Sequence, residues 1–126
     1  LKRKITRESE IQIAVEIIAL NRLIKLEEKK LWEKGEINEY HTELSEIIRR
    51  YLEEKFNFIA LELTTDEILG ELKPQISNDL SKKLQKILVR ADLAKFAKNK
   101  PTDSENSESM LLAKEIILST KKTEDE

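Results

Sequence analysis

The sequence predicts an all-α protein: a compact bundle of four main helices plus one short helix, opening with an antiparallel helical hairpin. Three observations predict it. Only two glycines and two prolines punctuate 126 residues, while charged residues make up 38% and hydrophobic ones 39% of the chain, the composition of amphipathic helices rather than of strands and turns. Apolar residues recur at three- and four-residue spacing, and capping residues stand where those runs begin. The length is that of one domain with a core of its own.

The first helix is expected from about Ser9 to Lys34, with Ser9 or Thr6 as its cap and Gly35 as its left-handed stop. Ile13, Ile17, Leu20, Ile24 and Leu31 follow the 3.6-residue rhythm. Ile11, Val15, Ile18 and Leu23 widen the apolar face, so this helix should pack on more than one neighbour. Gly35 to Asn38 turns the chain into a second helix, about Glu39 to Phe56, which buries Tyr40, Leu44, Ile47, Ile48, Tyr51 and Leu52. These two helices make the hairpin.

Asn57 to Leu63 is short and apolar and reads as a packed connector. Thr64-Thr65-Asp66-Glu67 is a capping box, in which the Thr64 hydroxyl accepts the amide of Glu67 and the Glu67 carboxylate reaches back. A short helix follows from about Thr65 to Leu72, and Pro74 prevents its smooth continuation. Ser77 or Asn78 caps the next helix, which runs to about Lys98 with Leu80, Leu84, Ile87, Leu88, Ala91 and Ala94 or Phe96 inward. Pro101 and residues 102–107 form a loop. The last helix starts at about Ser104 or Ser107 and ends at Thr120, with Leu112, Ala113, Ile116 and Ile117 inward. The domain division is thus a basic lead over 1–8, the bundle over 9–120 and a frayed tail over 121–126.

Composition also restricts the chemistry. There is no cysteine, which excludes a disulfide framework, a thiolate metal site and a thiol nucleophile. One histidine is too few for the usual His-rich metal sites, and two glycines are too few for a phosphate-cradling loop. No catalytic residue, cofactor or metal is therefore expected. His41 shares a helix face with Ile37, Leu44 and Ile48, which gives it a half-buried packing role. A di-iron bundle would need Glu-x-x-His, and Asn38 stands three before His41. Glu36, Glu39, Glu43 and Glu46 read as a solvated helix face rather than a cation site.

The net charge of −2 hides a segregation: +3 over residues 1–26, −7 over 27–71, +6 over 72–100 and −4 over 101–126. The acidic hairpin and the basic fourth helix should attract each other, or offer an outside partner faces of opposite sign. Lys82, Lys86 and Arg90 form one stripe of that helix. The unit from Thr64 to Arg90 has helix-turn-helix proportions, which makes a nucleic-acid-binding module the alternative reading. A pI of about 5.7 weighs against it. At the other end of the chain, Leu1 leads straight into Lys2, Arg3, Lys4 and Arg7, with no acidic residue before Glu8. Such a run is expected just after a membrane span on its cytoplasmic side. Residues 11–26 are broken by Glu16, Arg22 and Lys25 and are not themselves a span.

The segment AVEIIALNRLIKLEEKKLWEKGEINEYHTELSEIIRRYLEEKFNFIALELTTDEIL, Ala14 to Leu69, resembles the cytoplasmic tail domain of bacterial membrane proteins of the Bat-type aerotolerance group, common in Bacteroidetes. Leu31-Trp32 followed by Gly35, then Tyr40, Leu44, Arg49, Tyr51-Leu52-Glu53 and Phe56, and finally Thr64 to Leu69, carry the resemblance. ILVRADLAKFAK, Ile87 to Lys98, is similar to the family's closing helix. His41 stands where the family usually has tyrosine, Lys55 where arginine is frequent and Asn57 where glycine is common. The resemblance implies a membrane-anchored protein with a span preceding Leu1, a helical tail at the cytoplasmic face of the inner membrane, and a protein partner such as a MoxR-type ATPase or a von Willebrand factor A domain protein. Trp32, Tyr40, Tyr51 and Phe56 then read as core or interface, and Arg49 and Glu53, four apart, as a pair on one face. The expected function is that of a non-enzymatic interaction domain, with Lys82, Lys86, Arg90, Arg49 and Trp32 as candidate partner-binding residues.

Overall fold

The computed structural model describes residues 6–120, without the side chains of residues 9 and 11–13. The basic lead before Thr6, the tail after Thr120 and the expected roles of Ser9, Ile11 and Ile13 lie outside the described residues. Five α-helices are formed: α1 (Arg7–Glu28), α2 (Ile37–Phe56), α3 (Thr65–Leu72), α4 (Asn78–Phe96) and α5 (Asp103–Thr120). Single 3-10 turns at Trp32–Lys34 and Ala60–Glu62 complete the list, and there is no strand among the described residues. The all-α bundle of four main helices and one short one is what the periodicity predicts.

Hydrogen bonds and ion pairs between the helices fix their directions. Lys29 meets Glu43 at one end of the α1–α2 hairpin and Glu16 meets Lys55 at the other, so the two run antiparallel. Tyr40 reaches Asn106 and Tyr51 reaches Thr120, which makes α2 and α5 parallel. Lys83–Glu115 and Arg90–Glu108 set α4 antiparallel to α5. The order around the bundle is α1, α2, α4, α5 and back to α1, with neighbours alternating in direction, as in an up-down four-helix bundle. α3 packs on α4. Leu23, Leu44, Ile48, Leu52, Ile68, Leu72, Leu84, Leu88 and Ile117 are among the fully buried core residues.

α1 differs from its expected form in two ways. It ends at Glu28 rather than Lys34, because Leu31 stands five positions after Leu26; a continuing helix would carry Leu31 about 140° round from Leu26, off the buried stripe. Instead Lys30 adopts φ +54°, the 3-10 turn follows, and Leu31 swings back into the core with Trp32 packed beside it. Gly35 does take the left-handed stop, φ +88°, closing that turn through its N–H to Trp32 O. Secondly, the inward stripe of α1 is Val15, Ala19, Leu23 and Leu26, so Ile17, Ile18 and Ile24 face solvent.

The other boundaries differ less. α2 starts two residues earlier than Glu39, α3 has the predicted bounds, and α4 ends at Phe96. The capping box at Thr64 forms, with Glu67 N–H on Thr64 Oγ1 at 3.2 Å and Thr64 N–H on Glu67 Oε1 at 2.9 Å. Ser77, not Asn78, caps α4 by accepting from Leu80 N–H. α5 begins at Asp103 because Thr102 and Glu105 make a second capping box, with bonds of 3.2 and 2.9 Å.

The two glycines predict effects of opposite sign. Gly70 is exposed inside α3 and an added Cβ would meet nothing within 4 Å; Gly70→Ala is expected to raise stability by about 0.5–1 kcal/mol. Gly35 has equal space but a positive φ, so Gly35→Ala should lower stability by about 1 kcal/mol. Urea midpoints of the two variants check both signs.

Candidate protein-docking face

The three basic residues of the α4 stripe have different fates. Arg90 is nearly buried between α4 and α5, where Nη2 donates to Glu108 Oε1 at 2.6 Å and Nη1 donates to Ser109 Oγ at 3.1 Å and Glu105 O at 3.3 Å. Its bond holds the Glu108 carboxyl below the usual carboxylate range. Lys86 lies open to solvent, 3.9 Å from Glu108. Lys82 is exposed and has no ion partner among the described residues. The basic helix is therefore balanced chiefly by the acidic α5, through Glu105, Glu108 and Glu115, and not by the acidic hairpin.

Arg49 and Glu53 do not pair with each other. Both turn onto the connector: Arg49 Nη1 donates to the carbonyls of Leu63 and Ala60, Arg49 Nε donates to Ser45 Oγ at 3.1 Å, and Glu53 Oε1 accepts Leu61 N–H at 2.9 Å. Burial lowers the Arg49 pKa, with Asp92 opposing. The pair clamps residues 60–63 onto α2, satisfying carbonyl and amide groups that the short irregular segment leaves open. Trp32 is half-buried against the core at the end of the hairpin.

What the structure adds is the far end of α4. Lys82, Lys86, Val89, Leu93 and Phe96 fall at four- and three-residue steps on one outward stripe, so the basic half runs into an apolar half. Phe96, given as an alternative core position to Ala94, is 75% exposed, while Ala94 takes the core place. Lys95 Nζ stands 5.1 Å from the centroid of the Phe96 ring. Phe96 also lines an open cleft of about 650 Å³ between α2 and α4, floored by Arg49, Ser45 and Asp92 and edged by Leu61 and Thr65. Thr65 Oγ1 donates to Asp92 Oδ2 at 2.6 Å, joining the start of α3 to α4 across it. Arg49, Ser45, Thr65 and Asp92 are thus committed to holding its walls, and its exposed apolar edge is Phe96 with Leu61.

His41 is fully buried rather than half-buried. Its Nε2 lies 2.7 Å from Asn106 Oδ1, which makes Nε2 the protonated nitrogen, and Nδ1 has no partner. The Tyr40 ring meets it edge-on at 5.1 Å, and the Tyr40 hydroxyl donates to Asn106 O at 2.8 Å. Burial pushes the His41 pKa down, the Asn106 bond and Glu105 oppose this, and Arg90 adds to it. The unfolded chain, with an ordinary value near 6.5, then binds the proton first. Stability should fall as the pH drops below about 6.5 and level off once the folded-state pKa is passed. His41 is the sole histidine, so His41→Gln should flatten this limb of a plot of urea midpoint against pH.

Among the described residues no group of three His, Asp or Glu side chains has metal-holding geometry, and no helix is long and apolar enough to cross a membrane. Comparison with protein-family models, curated proteins and solved structures found no match to this chain.

Proposed function

We propose that this chain is a non-enzymatic interaction domain that docks a cytoplasmic protein partner through the outward stripe of α4. The observation that carries this reading is Phe96, a large aromatic side chain 75% exposed at the end of a stripe whose other members are Val89, Leu93, Lys86 and Lys82. An aromatic residue held in solvent on a well-packed helix, beside an open cleft, has the character of an interface anchor. The complementary segment is amphipathic, with apolar residues against Phe96 and Leu93 and carboxylates against Lys82 and Lys86. The resemblance of residues 14–69 to Bat-type aerotolerance tails supports a membrane-anchored parent at the inner membrane, and a MoxR-type ATPase or von Willebrand factor A domain protein as the partner.

Affinity capture with the wild-type chain, Phe96→Ser and Lys82→Glu/Lys86→Glu in parallel tests this. A protein held by the wild type should be lost from both variants. Equal recovery by all three baits, or none by the wild type, would defeat the reading. The nucleic-acid alternative has weaker support, since Arg90 is engaged within the fold and Asp79 stands in the first turn of α4, where phosphate would approach. A salt-dependent shift of duplex DNA at about 50 mM salt would favour it instead.

A further inference from the structure

The seam between α2 and α4 is covered along only part of its length. The connector lies on α2, where Arg49 and Glu53 hold it, and α3 lies on α4, running from Asp92 back toward the start of that helix. Residues 57–72 together close the seam as far up as Arg49 and Asp92. Ile68 and Leu72, one turn apart on α3, are fully buried where they close it. The fold itself thus shows the kind of segment this seam takes, a short helix with an apolar pair on one face. Beyond Thr64 the seam is open. That stretch is the cleft of about 650 Å³, with Thr42 and Glu46 of α2 on one wall and Lys95 and Phe96 of α4 on the other.

Unpaired charge stands at the two ends of the open stretch. At the end away from α3, Lys95, Lys98 and Lys100 are exposed and make no ion pair among the described residues. At the end next to α3, Glu62 and Asp66 are exposed and equally unpaired. The charges between them are engaged: Glu46 pairs with Arg50 at 3.3 Å, Asp92 accepts from Thr65, and Arg49 holds the connector. Glu39 acts on Lys29, on the α1 side of α2, and Asp103 belongs to the first turn of α5, across α4 from the cleft. An occupant therefore meets cations at one end, carboxylates at the other, and Phe96 with Leu61 between them.

We propose that the open half of the α2–α4 seam takes a helix of the partner, laid in line with α3 and pointing the same way. Its apolar side chains, three and four residues apart, rest against Phe96 and Leu61. Its first turn is acidic and meets Lys95, Lys98 and Lys100; its last turn is basic and meets Glu62 and Asp66. Those are the end charges that a helix carries to suit its own macrodipole, so the charges of the cleft select the direction as well as the occupant. Thr42 and Arg49 stand seven residues apart, about 10 Å along α2, and a helix of roughly three turns covers the opening. The inference rests on the reading of Phe96 as the docking anchor and deepens it, from a contact on the outside of α4 to a helix held in a groove.

NMR titration of the whole chain with a synthetic helical peptide tests the proposal. The probe is an alanine-based helix of about 14 residues with leucines at i, i+3 and i+7, glutamates in its first turn, lysines in its last, and a nitroxide at its amino terminus. Saturable shifts are expected at the amides of residues 42–49 and 91–96, with a dissociation constant below about 1 mM. The nitroxide should broaden Lys95 and Lys98 and spare Glu62 and Asp66. Phe96→Ser should weaken binding at least about tenfold, and so should Thr42→Arg, which fills the opening from an exposed position while the helical circular dichroism and urea midpoint stay unchanged. No saturable shift up to about 1 mM, shifts elsewhere on the bundle, broadening at Glu62, or binding indifferent to Thr42→Arg would overturn it. Partner capture separates this inference from the reading beneath it. A protein retained by Thr42→Arg but lost from Phe96→Ser and Lys82→Glu/Lys86→Glu leaves docking on α4 standing and overturns the groove. A peptide seated in the cleft when the wild type captures no protein supports the groove and removes that reading.

Discussion

Lys55→Met is expected to destabilise the bundle by about 3–5 kcal/mol, the largest effect of any substitution considered. Lys55 Nζ lies 2.8 Å from Glu16 Oε1, with the two side chains only 5% and 4% exposed. Removing the ammonium breaks an ion pair held almost wholly in the interior, where the desolvation of the Glu16 carboxylate weighs most. Replacing both residues, Glu16→Leu with Lys55→Met, removes the charge along with its partner and should recover most of the loss. Urea unfolding of the wild type, both single variants and the double variant gives the comparison, provided the m-value is constant across the set. A double variant as unstable as Lys55→Met would mean that the site depends on the shape of these side chains and not on their charges.

Arg90→Met should cost about 2–3 kcal/mol, whereas Lys86→Met on the same stripe should cost about 0.5 kcal/mol or less. Arg90 is the only basic member of that stripe set into the α4–α5 seam, and Ser109, one of its acceptors, is fully buried. Its removal should also be felt at one carboxyl and one imidazole group. Glu108 loses the bond that depresses its pKa, so that value should rise. His41 loses a nearby positive charge, so its pKa should rise as well, and the acid-side loss of stability described above should be smaller and level off at higher pH, its onset still set by the unfolded value. NMR titration of both groups in the variant would register these shifts.

Four helices and their main inward residues could be read from periodicity because Tyr40, Leu44, Ile48 and Tyr51, or Leu84, Ile87, Leu88 and Ala91, each keep one unambiguous stripe. α1 was ambiguous for a physical reason: it is apolar on nearly every side, so the residues alone do not say which side is covered. Val15, Ala19, Leu23 and Leu26 win the core because α2 and α5 flank that side, and this is tertiary information. The early start of α5 is legible in the sequence, since Thr102-Asp103-Ser104-Glu105 has the same capping pattern as Thr64 to Glu67. The docking face was half legible. Lys82 and Lys86 are visible as a stripe, but whether Phe96 or Ala94 turns inward depends on where α4 stops packing. The Glu16–Lys55 pair could not be found at all, because 39 positions separate two residues whose types usually stay in water.

The order of helices around the bundle bears on how fast the chain reaches it. Three of the four seams of the main bundle join helices near in sequence, α1 with α2, α2 with α4 and α4 with α5, whereas α1 with α5 joins the first helix to the last. Low contact order of this kind goes with folding in microseconds to milliseconds. The α1–α5 seam closes the longest loop and therefore carries the greatest entropic penalty. Substitutions there, such as Lys114→Ala against Glu27, are expected to accelerate unfolding and leave the refolding limb of a chevron plot almost unmoved.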